Sequence, residues 1–363
     1  MAHAAGPDQF PYSPDYAIPP GETLRDTLEA IGMAQAELAR RAGLSIKHVN
    51  QIVMGLAPIT SETALALERV VGVPAAFWMR LEANYQAREA LSRERGGLDQ
   101  ARGWLDRIPV SDLVRRGYLQ KSADRISTLQ EVLSFFGVAS VSAWKEVWEA
   151  PDAAFLKSPA FRSDPYAAAV WLRIGEKRAA TVRCEPYDRA RFQASVDRAR
   201  SLTVDDAESF SADLVELCRS SGVALVFVSE VKGTRASGAT KWLSPAKAMI
   251  QLSLRHKRDD HFWFAFFHEC AHLLLHGKRQ QFVDEPGGDG SEQEREANEF
   301  AARTLIPTEF ASELPRLTSL PAITSFAKTI GIAPSIVVGR LQHDKVIGMN
   351  FGNHLRRHLE IAD

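Results

Sequence analysis

The stretch His261–His276, HFWFAFFHECAHLLLH, decides the fold of the C-terminal part of this chain. It follows Asp259 and Asp260, contains no helix breaker and is closed by Gly277, a pattern that predicts one capped helix. Because the helix is apolar on nearly all sides, we expect it to be buried. Burying an unpartnered polar group costs several kcal/mol, so the polar side chains at its centre must be paired or bound to something.

The centre of the helix is the pentapeptide HECAH, in which His268 and His272 are one turn apart and Glu269 follows the first histidine. At this spacing two imidazole nitrogens can share a Zn²⁺ ion, and the glutamate can accept a proton from the attacking water. A lone buried histidine is more often a satisfied core residue, so the motif by itself leaves both interpretations open. We interpret Cys270 as core, and His276 as a helix-end residue rather than a fourth ligand.

A third ligand is predicted in SEQEREANEFAARTLIP, which indicates a helix from about Ser291 to a stop at Pro307. Its predicted inner face is Phe300, Ala301, Thr304 and Leu305. Residues along a helix are ~100° apart, so Glu294 lies on the inner face and Glu296 points away. We predict Glu294 as the ligand and Asn298, one turn later, as the group that holds it. Alternatively, Ser291 and Glu294 form a capping box.

Two histidines and one glutamate leave one position of a tetrahedral zinc site open, as in catalytic rather than structural sites. The expected chemistry is metal-assisted hydrolysis, most often of a peptide bond. A helix at Ala207–Ser220 and strands at Val223–Val228, Gly238–Leu243 and Ala248–Leu254 precede the metal helix, which predicts a small α+β domain. Residues near Gly238 are candidates for an edge strand that pairs with an extended substrate, the alternative being an ordinary meander.

The composition sets the broad class of the protein. The chain has 363 residues, 45% hydrophobic and 25% charged, enough for two or three globular domains. A net charge of −1 does not suggest wholesale nucleic-acid binding but leaves room for a local basic face. Three scattered cysteines, an N-terminus unlike a signal peptide and the lack of an apolar run of ~20 residues predict a cytoplasmic protein that does not enter a membrane.

Near the N-terminus, MAQAELARRAGLSIKHVNQIVMG has the pattern of a helix-turn-helix. Ala34–Arg41 is the first helix, Gly43 the turn, and Ser45 caps a second helix that reaches Val53. An earlier helix, Gly21–Ala30, turns Leu24 and Leu28 inward. The predicted DNA contacts, to base edges or phosphates, are Gln35, Arg40, Ser45, Lys47, His48, Asn50 and Gln51. A helical bundle with a merely solvated polar face is the alternative.

The segment Pro20–Gln86 closely resembles the HigA-type antitoxin branch of the XRE-like repressors. The end of the match contributes Phe77, Trp78, Leu81, Asn84 and Tyr85. The resemblance implies a five-helix, lambda-repressor-like bundle, a homodimer on a palindromic double-stranded DNA operator, and autoregulation. It does not by itself imply a toxin partner.

With HECAH, EREANEFAARTLIP and SIVVGRLQHDKVI in place, the C-terminal part resembles the ImmA/IrrE family of zinc metallopeptidases. The resemblance implies a zincin-like fold, with His268, His272 and Glu294 as zinc ligands and Glu269 as the catalytic acid/base. The usual HELGH of the family is HECAH here, which leaves the ligand positions unchanged. Members of the family cleave or inactivate a repressor, so the implied substrate is a repressor or regulatory protein.

The sequence therefore predicts a predominantly helical α+β protein of four parts. These are a flexible arm (1–18), a helix-turn-helix domain (19–88), a helical linker domain (89–203) and a peptidase domain (204–363). In the linker, Trp144, Trp148 and Trp171 are predicted core. A second helix-turn-helix-like pattern around Gly331, with Pro334–His343 as its second helix, is assigned a structural or docking role rather than DNA binding.

Three functions remain open at this point. The first is a DNA-binding regulator with a working zinc endopeptidase that cleaves a regulatory protein, or itself. The second is a non-enzymatic antitoxin or repressor that binds a toxin or ligand, with a structural or vestigial metal site. The third is a metal-sensing transcription factor whose site never turns over.

Overall fold

The computed structural model describes residues 18–97, 102–148, 164–253, 257–277, 282–284 and 292–359. The chain divides into two compact units, Met1–Arg102 and Gly103–Asp363. Nearly all of the predicted arm (1–18) lies outside the described residues.

Within residues 18–97 the first unit has five helices. They are α1 (Pro20–Ala30), α2 (Gln35–Ala42), α3 (Ile46–Val53), α4 (Ser61–Val71) and α5 (Ala75–Gly97). Their shared core includes Leu24, Leu28, Leu38, Ala39, Val49, Ile52, Leu67 and Trp78. The predicted helix-turn-helix is α2 and α3. Each end of these two helices lies within one residue of its predicted position.

The turn between α2 and α3 has the chemistry that the sequence predicts. Gly43 follows α2 in the left-handed conformation, with φ 69°, which a residue without Cβ adopts at no steric cost. The Ser45 hydroxyl then accepts a hydrogen bond of 3.1 Å from the backbone N–H of His48 and so caps α3. Gly43 thus ends α2, and Ser45 starts α3.

Seven helices follow over the described residues from 102 to 219. They are α6 (Arg102–Leu105), α7 (Val110–Arg115), α8 (Arg125–Phe136), α9 (Val141–Trp148), α10 (Pro165–Thr181), α11 (Arg189–Ser201) and α12 (Ala207–Arg219). The remaining elements are β1 (Val223–Phe227), β2 (Gly238–Ser244), β3 (Lys247–Leu252), α13 (Asp259–Leu275), β4 (Phe282–Asp284), α14 (Glu292–Leu305), α15 (Leu320–Ile330) and α16 (Pro334–His343). Short 3-10 helices span Leu202–Val204, Thr308–Arg316 and Asn353–Leu355. The predicted α+β class, with a small sheet, is confirmed.

The described strands form one sheet in the order β1-β3-β2-β4. β1 is parallel to β3, whereas β2 is antiparallel to both β3 and β4. Gly238 of β2 pairs with Asp284 of β4, so the prediction that residues near Gly238 form an edge is wrong. The cause is β4, a three-residue strand after the metal helix that is too short to show a periodic pattern in the sequence.

The sheet lies between α10 on one face and α12 with α13 on the other. On the α10 face, the Trp171 indole N–H donates to the carbonyl of Val228 at 2.9 Å, and the Gln251 amide donates to the carbonyl of Trp171 at 2.9 Å. On the opposite face, Ile250 and Trp263 belong to one buried cluster. The described residues between 103 and 203 are in the same compact unit as the sheet. The helical linker domain at 89–203 stays a prediction.

By length and composition alone, the stretch Arg125–Trp148 is long and apolar enough to cross a membrane. In the structure this stretch is two helices, α8 and α9, separated at Gly137, which has φ 71°. Phe136 packs edge-on against the rings of Trp144 and Trp148, both of which are buried, as predicted. Such aromatic packing is typical of the interior of a globular unit.

Residues near the C-terminus contact the start of α13. Ser335 of α16 is fully buried and donates a hydrogen bond of 2.7 Å to Oδ2 of Asp259. Arg357 Nε lies 2.8 Å from the same oxygen. Ser335, in the predicted second helix-turn-helix-like element, thus makes an internal contact, in line with the structural role assigned to that element.

Candidate metal centre

α13 forms where the sequence predicts it and is buried along most of its length. Asp259 and Asp260 are in its first turn, where carboxylates interact favourably with the helix dipole, and His276 follows its last residue. The three central polar residues, His268, Glu269 and His272, are each at most 1% exposed. Each of these groups therefore needs a partner inside the protein.

The structure brings the two histidines of HECAH together with Glu294 of α14. His268 Nε2 lies 3.2 Å from Glu294 Oε2, and His272 Nε2 lies 3.4 Å from Glu294 Oε1. The two Nε2 atoms are 3.0 Å apart. Ligand atoms of all three residues lie within 4.8 Å of one another, a group with the composition and size of a metal site.

The hydrogen bond to His268 determines which of its nitrogens carries the proton. Its Nδ1 lies 3.1 Å from Asn298 Oδ1, and an amide oxygen only accepts, so Nδ1 is the donor. Nε2 of His268 therefore presents a lone pair, and it faces Glu294 and His272 Nε2, which also offer lone pairs. Acceptors that face one another in a buried site repel unless a cation or proton lies between them. The donor set, two imidazole nitrogens and a carboxylate, fits Zn²⁺.

The ionisation of the site also suits a cation. Burial lowers the pKa of His272 to about 4. Burial alone raises the pKa of Glu294, but hydrogen bonds and charge from proton-bearing forms of His268 and His272 outweigh this effect and lower the pKa to about 2. The Glu294 carboxylate is therefore stabilised by positive charge at the position of the two Nε2 atoms, which a bound cation also supplies.

Glu269 faces β2. Its Oε2 accepts a hydrogen bond of 2.5 Å from the hydroxyl of Thr240, which also donates to the carbonyl of Glu269 at 3.2 Å. Gly238 also faces this carboxylate, because a Cβ built on it would lie 2.4 Å from Glu269 Oε1. Thr240 was missed from the sequence. The alternation of β2 could have indicated it, since Gly238 and Thr240 share a face of the strand.

Asn298, predicted beside the site, and Glu296, predicted to point away from it, have other contacts than expected. Asn298 binds His268 rather than Glu294, because one turn of α14 brings its side chain level with the first histidine of α13. Glu296 is exposed, as predicted, yet its Oε2 lies 3.1 Å from His276 Nε2. Ser291, the cap in the alternative capping box, lies outside the described residues.

Two sequence families match this chain, one in each compact unit. The profile of the helix-turn-helix family matches residues 24–78, and that of the IrrE N-terminal-like domain, peptidase family M78, matches residues 225–319. The chain thus carries a helix-turn-helix domain in its first unit and an IrrE-like domain in its second. The IrrE-like match contains the two histidines, Glu269 and Glu294, and the helix-turn-helix match contains α2 and α3.

Proteins similar to this chain cover about a quarter of it. Virulence-associated protein I of Dichelobacter nodosus is 34% identical over 91 residues, which are 25% of this chain and 80% of that protein. A solved antidote protein of the HigA family from Coxiella burnetii is 29% identical, with 23% of this chain and 92% of that chain covered and a TM-score of 0.22. Antitoxin HigA from Pseudomonas aeruginosa, solved with the higBA promoter, is 32% identical over 23% of this chain and 94% of that chain, with a TM-score of 0.22.

In the IrrE-like domain, Cys270 is fully buried, and burial raises the pKa of its thiol well above the usual value. A thiol binds metal as the thiolate, so the structure gives Cys270 the core position predicted for it. His276 lies at the end of α13, as predicted, with its Nδ1 2.9 Å from Nδ1 of His272.

In the helix-turn-helix domain, the residues predicted to contact DNA differ in exposure. Lys47 and Asn50 of α3 are exposed, whereas Gln35, His48 and Gln51 are half-buried. Ser45 is exposed and occupied as the cap of α3. Arg40 and its neighbour Arg41 both pair with Glu37 on the same helix, so a phosphate would have to compete for these guanidinium groups.

Proposed function

We propose that this protein is a DNA-binding regulator whose IrrE-like domain is a zinc-dependent endopeptidase. The proposed substrate is a repressor or other regulatory protein, a second copy of this chain included. The observation that carries the proposal is the convergence of three metal-binding side chains beside a buried glutamate, in a chain that also has a helix-turn-helix domain.

In this proposal His268, His272 and Glu294 hold the ion. Bound zinc supplies Lewis acidity toward a peptide carbonyl and a nearby water molecule. The Glu269 carboxylate accepts the proton of the attacking water and passes it to the leaving amine. Thr240 holds one oxygen of that carboxylate in place, with a hydrogen bond of 2.5 Å to Oε2. Burial of Glu269 excludes bulk water, which strengthens the electrostatic interactions of the site.

We propose that the N-terminal domain binds an operator of double-stranded DNA. The exposed polar side chains of α3, Lys47 and Asn50, have the donors and acceptors that a recognition helix uses in the major groove. Helix-turn-helix proteins commonly bind palindromic operators as two-fold dimers, so the proposed functional form is a homodimer. A regulator of this kind acts where the DNA is, so the proposed location is the cytoplasm.

The substitution Glu269→Gln tests the enzyme. We expect the variant to keep about one zinc per chain, because the ligands are unchanged, and to keep operator binding while cleavage stops. Zinc is measured by elemental analysis, operator binding by gel shift, and cleavage by proteomics for a protein that disappears only with the wild type. Glu299→Gln, an exposed glutamate of α14, is the matched control. Zinc bound by a wild type that cleaves no protein would refute the endopeptidase.

The same variant distinguishes the proposed enzyme from a non-enzymatic antitoxin. An antitoxin that neutralises a toxin by binding alone neutralises it equally well with Glu269→Gln. Toxicity that reappears with this substitution excludes that alternative. A metal sensor without turnover predicts instead that operator binding changes when zinc is removed by a chelator.

A further inference from the structure

His276 and Glu296 form, with His272, a line of three groups between the metal centre and the protein surface. His276 Nδ1 lies 2.9 Å from His272 Nδ1, and His276 Nε2 lies 3.1 Å from Glu296 Oε2. The side chain of His276 is 4% exposed, whereas that of Glu296 is 46% exposed. The line thus runs from solvent to a buried metal-binding side chain.

With His276 as a neutral imidazole, the Glu296 carboxylate sets the direction of both hydrogen bonds in this line. A carboxylate only accepts, so Nε2 of His276 must donate to Glu296. A neutral imidazole with its proton on Nε2 has an accepting Nδ1, so Nδ1 of His272 must donate to it. Nε2 of His272 is then left with its lone pair toward His268 and Glu294. This is the tautomer that binds a metal ion through Nε2.

The other histidine of the site, His268, is oriented by a second residue of α14, Asn298. Nδ1 of His268 donates to the amide oxygen of Asn298. α14 therefore supplies the acidic ligand Glu294 and, two and four residues later, the acceptors that set the two imidazoles. α13 supplies both imidazoles and the intermediate His276. Each of the two imidazoles is thus oriented by hydrogen bonds that lead to an acceptor on α14.

We propose that His276 and Glu296 are positioning residues that set the tautomer and ring orientation of His272 for metal binding. The proposal rests on the proposed zinc site. Hydrogen bonds from the far nitrogen of a ligand histidine raise its basicity and fix its ring, and loss of such partners typically weakens metal binding by ~10–100-fold.

The test uses two substitutions at His276 that differ in hydrogen bonding. His276→Phe fills the space but can neither accept nor donate, so zinc affinity should fall by ~10–100-fold. His276→Gln can accept from His272 through its amide oxygen and donate to Glu296 through its amide nitrogen, so affinity should stay within about threefold of the wild type. Affinity is measured by chelator competition, and the Co²⁺ absorption spectrum reports the ligand geometry.

Glu296 is tested with a matched control on the same helix. Glu296→Ala should weaken zinc binding by about three- to tenfold, because the proton on His276 is no longer directed to Nε2. Glu299→Ala removes an exposed carboxylate that pairs with Arg295 and Arg303, away from the histidines, and should leave affinity unchanged. Equal zinc affinity of the wild type, His276→Phe and Glu296→Ala would overturn the proposal. Equal losses in His276→Phe and His276→Gln would also overturn it.

A measurement on zinc-free protein separates this inference from the proposed function. Long-range ¹H–¹⁵N NMR spectra distinguish the two neutral tautomers of each histidine. We expect the Nε2–H form of His276 and the Nδ1–H form of His272 in the wild type, and loss of the His276 preference in Glu296→Ala. The opposite tautomer of His276 in the wild type overturns the line of hydrogen bonds, whatever the zinc result. A wild type that has the expected tautomers but binds no zinc refutes the metal centre instead.

Discussion

The contact between Gly238 and Glu269 gives a prediction that separates positioning of the proposed base from metal binding. In Gly238→Ala the new Cβ would lie 2.4 Å from Glu269 Oε1 and 2.8 Å from its Cγ, closer than side-chain atoms approach one another. The carboxylate is fully buried and held by Thr240, so either it or β2 must shift by roughly 1 Å. The ligands His268 and His272 are on another face of α13 and keep their places.

The expected magnitudes follow from this displacement. Overpacking of this kind costs about 1–3 kcal/mol of unfolding free energy. For a unit of this size that is a drop in melting temperature of roughly 2–12 °C. A misplacement of about 1 Å in a catalytic group commonly lowers activity by ~100-fold. Zinc content should stay near one per chain.

The assay compares Gly238→Ala with Gly277→Ala by thermal unfolding, zinc analysis and cleavage of the protein that the wild type removes. Gly277 follows α13 directly, and a Cβ there meets no atom within 4 Å, so this control should behave as the wild type. Wild-type melting temperature together with wild-type cleavage in Gly238→Ala would refute the reasoning. Loss of zinc in that variant would show that the clash reaches the ligands.

Three further predictions concern stability and DNA binding. Burial lowers the pKa of His272 from 6.5 to about 4, so between these pH values the unfolded chain binds a proton that the folded chain does not. Unfolding free energy of zinc-free protein should therefore fall by on the order of 1–3 kcal/mol as the pH drops through this window, and an equal fall in His272→Gln would contradict the assignment. Arg357→Met leaves the fully buried Asp259 without its ion pair and should cost about 3–5 kcal/mol in urea unfolding, whereas a loss below about 1 kcal/mol would show that the pair is unimportant. Asn50→Ala should weaken operator binding by about tenfold or more in a gel shift and leave binding to random DNA unchanged, and equal loss on both DNAs would argue against base recognition.

Much of the candidate metal centre follows from spacing within single helices. The interval between His268 and His272 places both imidazoles on one face of α13, and rotation along α14 distinguishes Glu294 from Glu296. The structure brings Glu294 to the two histidines and leaves Glu296 exposed. The same local rules located α2, α3 and the turn at Gly43 in the first unit.

The contacts between elements were not predictable in this way. The pairing of Asn298 with His268, the line through His276 to Glu296, and the place of Thr240 beside Glu269 each join residues 20–30 positions apart in the chain. The strand β4, and the docking of α10 on the sheet, likewise became visible only in the structure.

The physical reason lies in what each kind of pattern encodes. A helix has a fixed angle and rise per residue, so the sequence by itself determined which side chains of α13 share a face and which face is buried. The rotation and translation of one element against another depend on packing over the whole core, and no local repeat records them. Tertiary structure alone therefore decided which groups hold the ligand histidines and the proposed base in place.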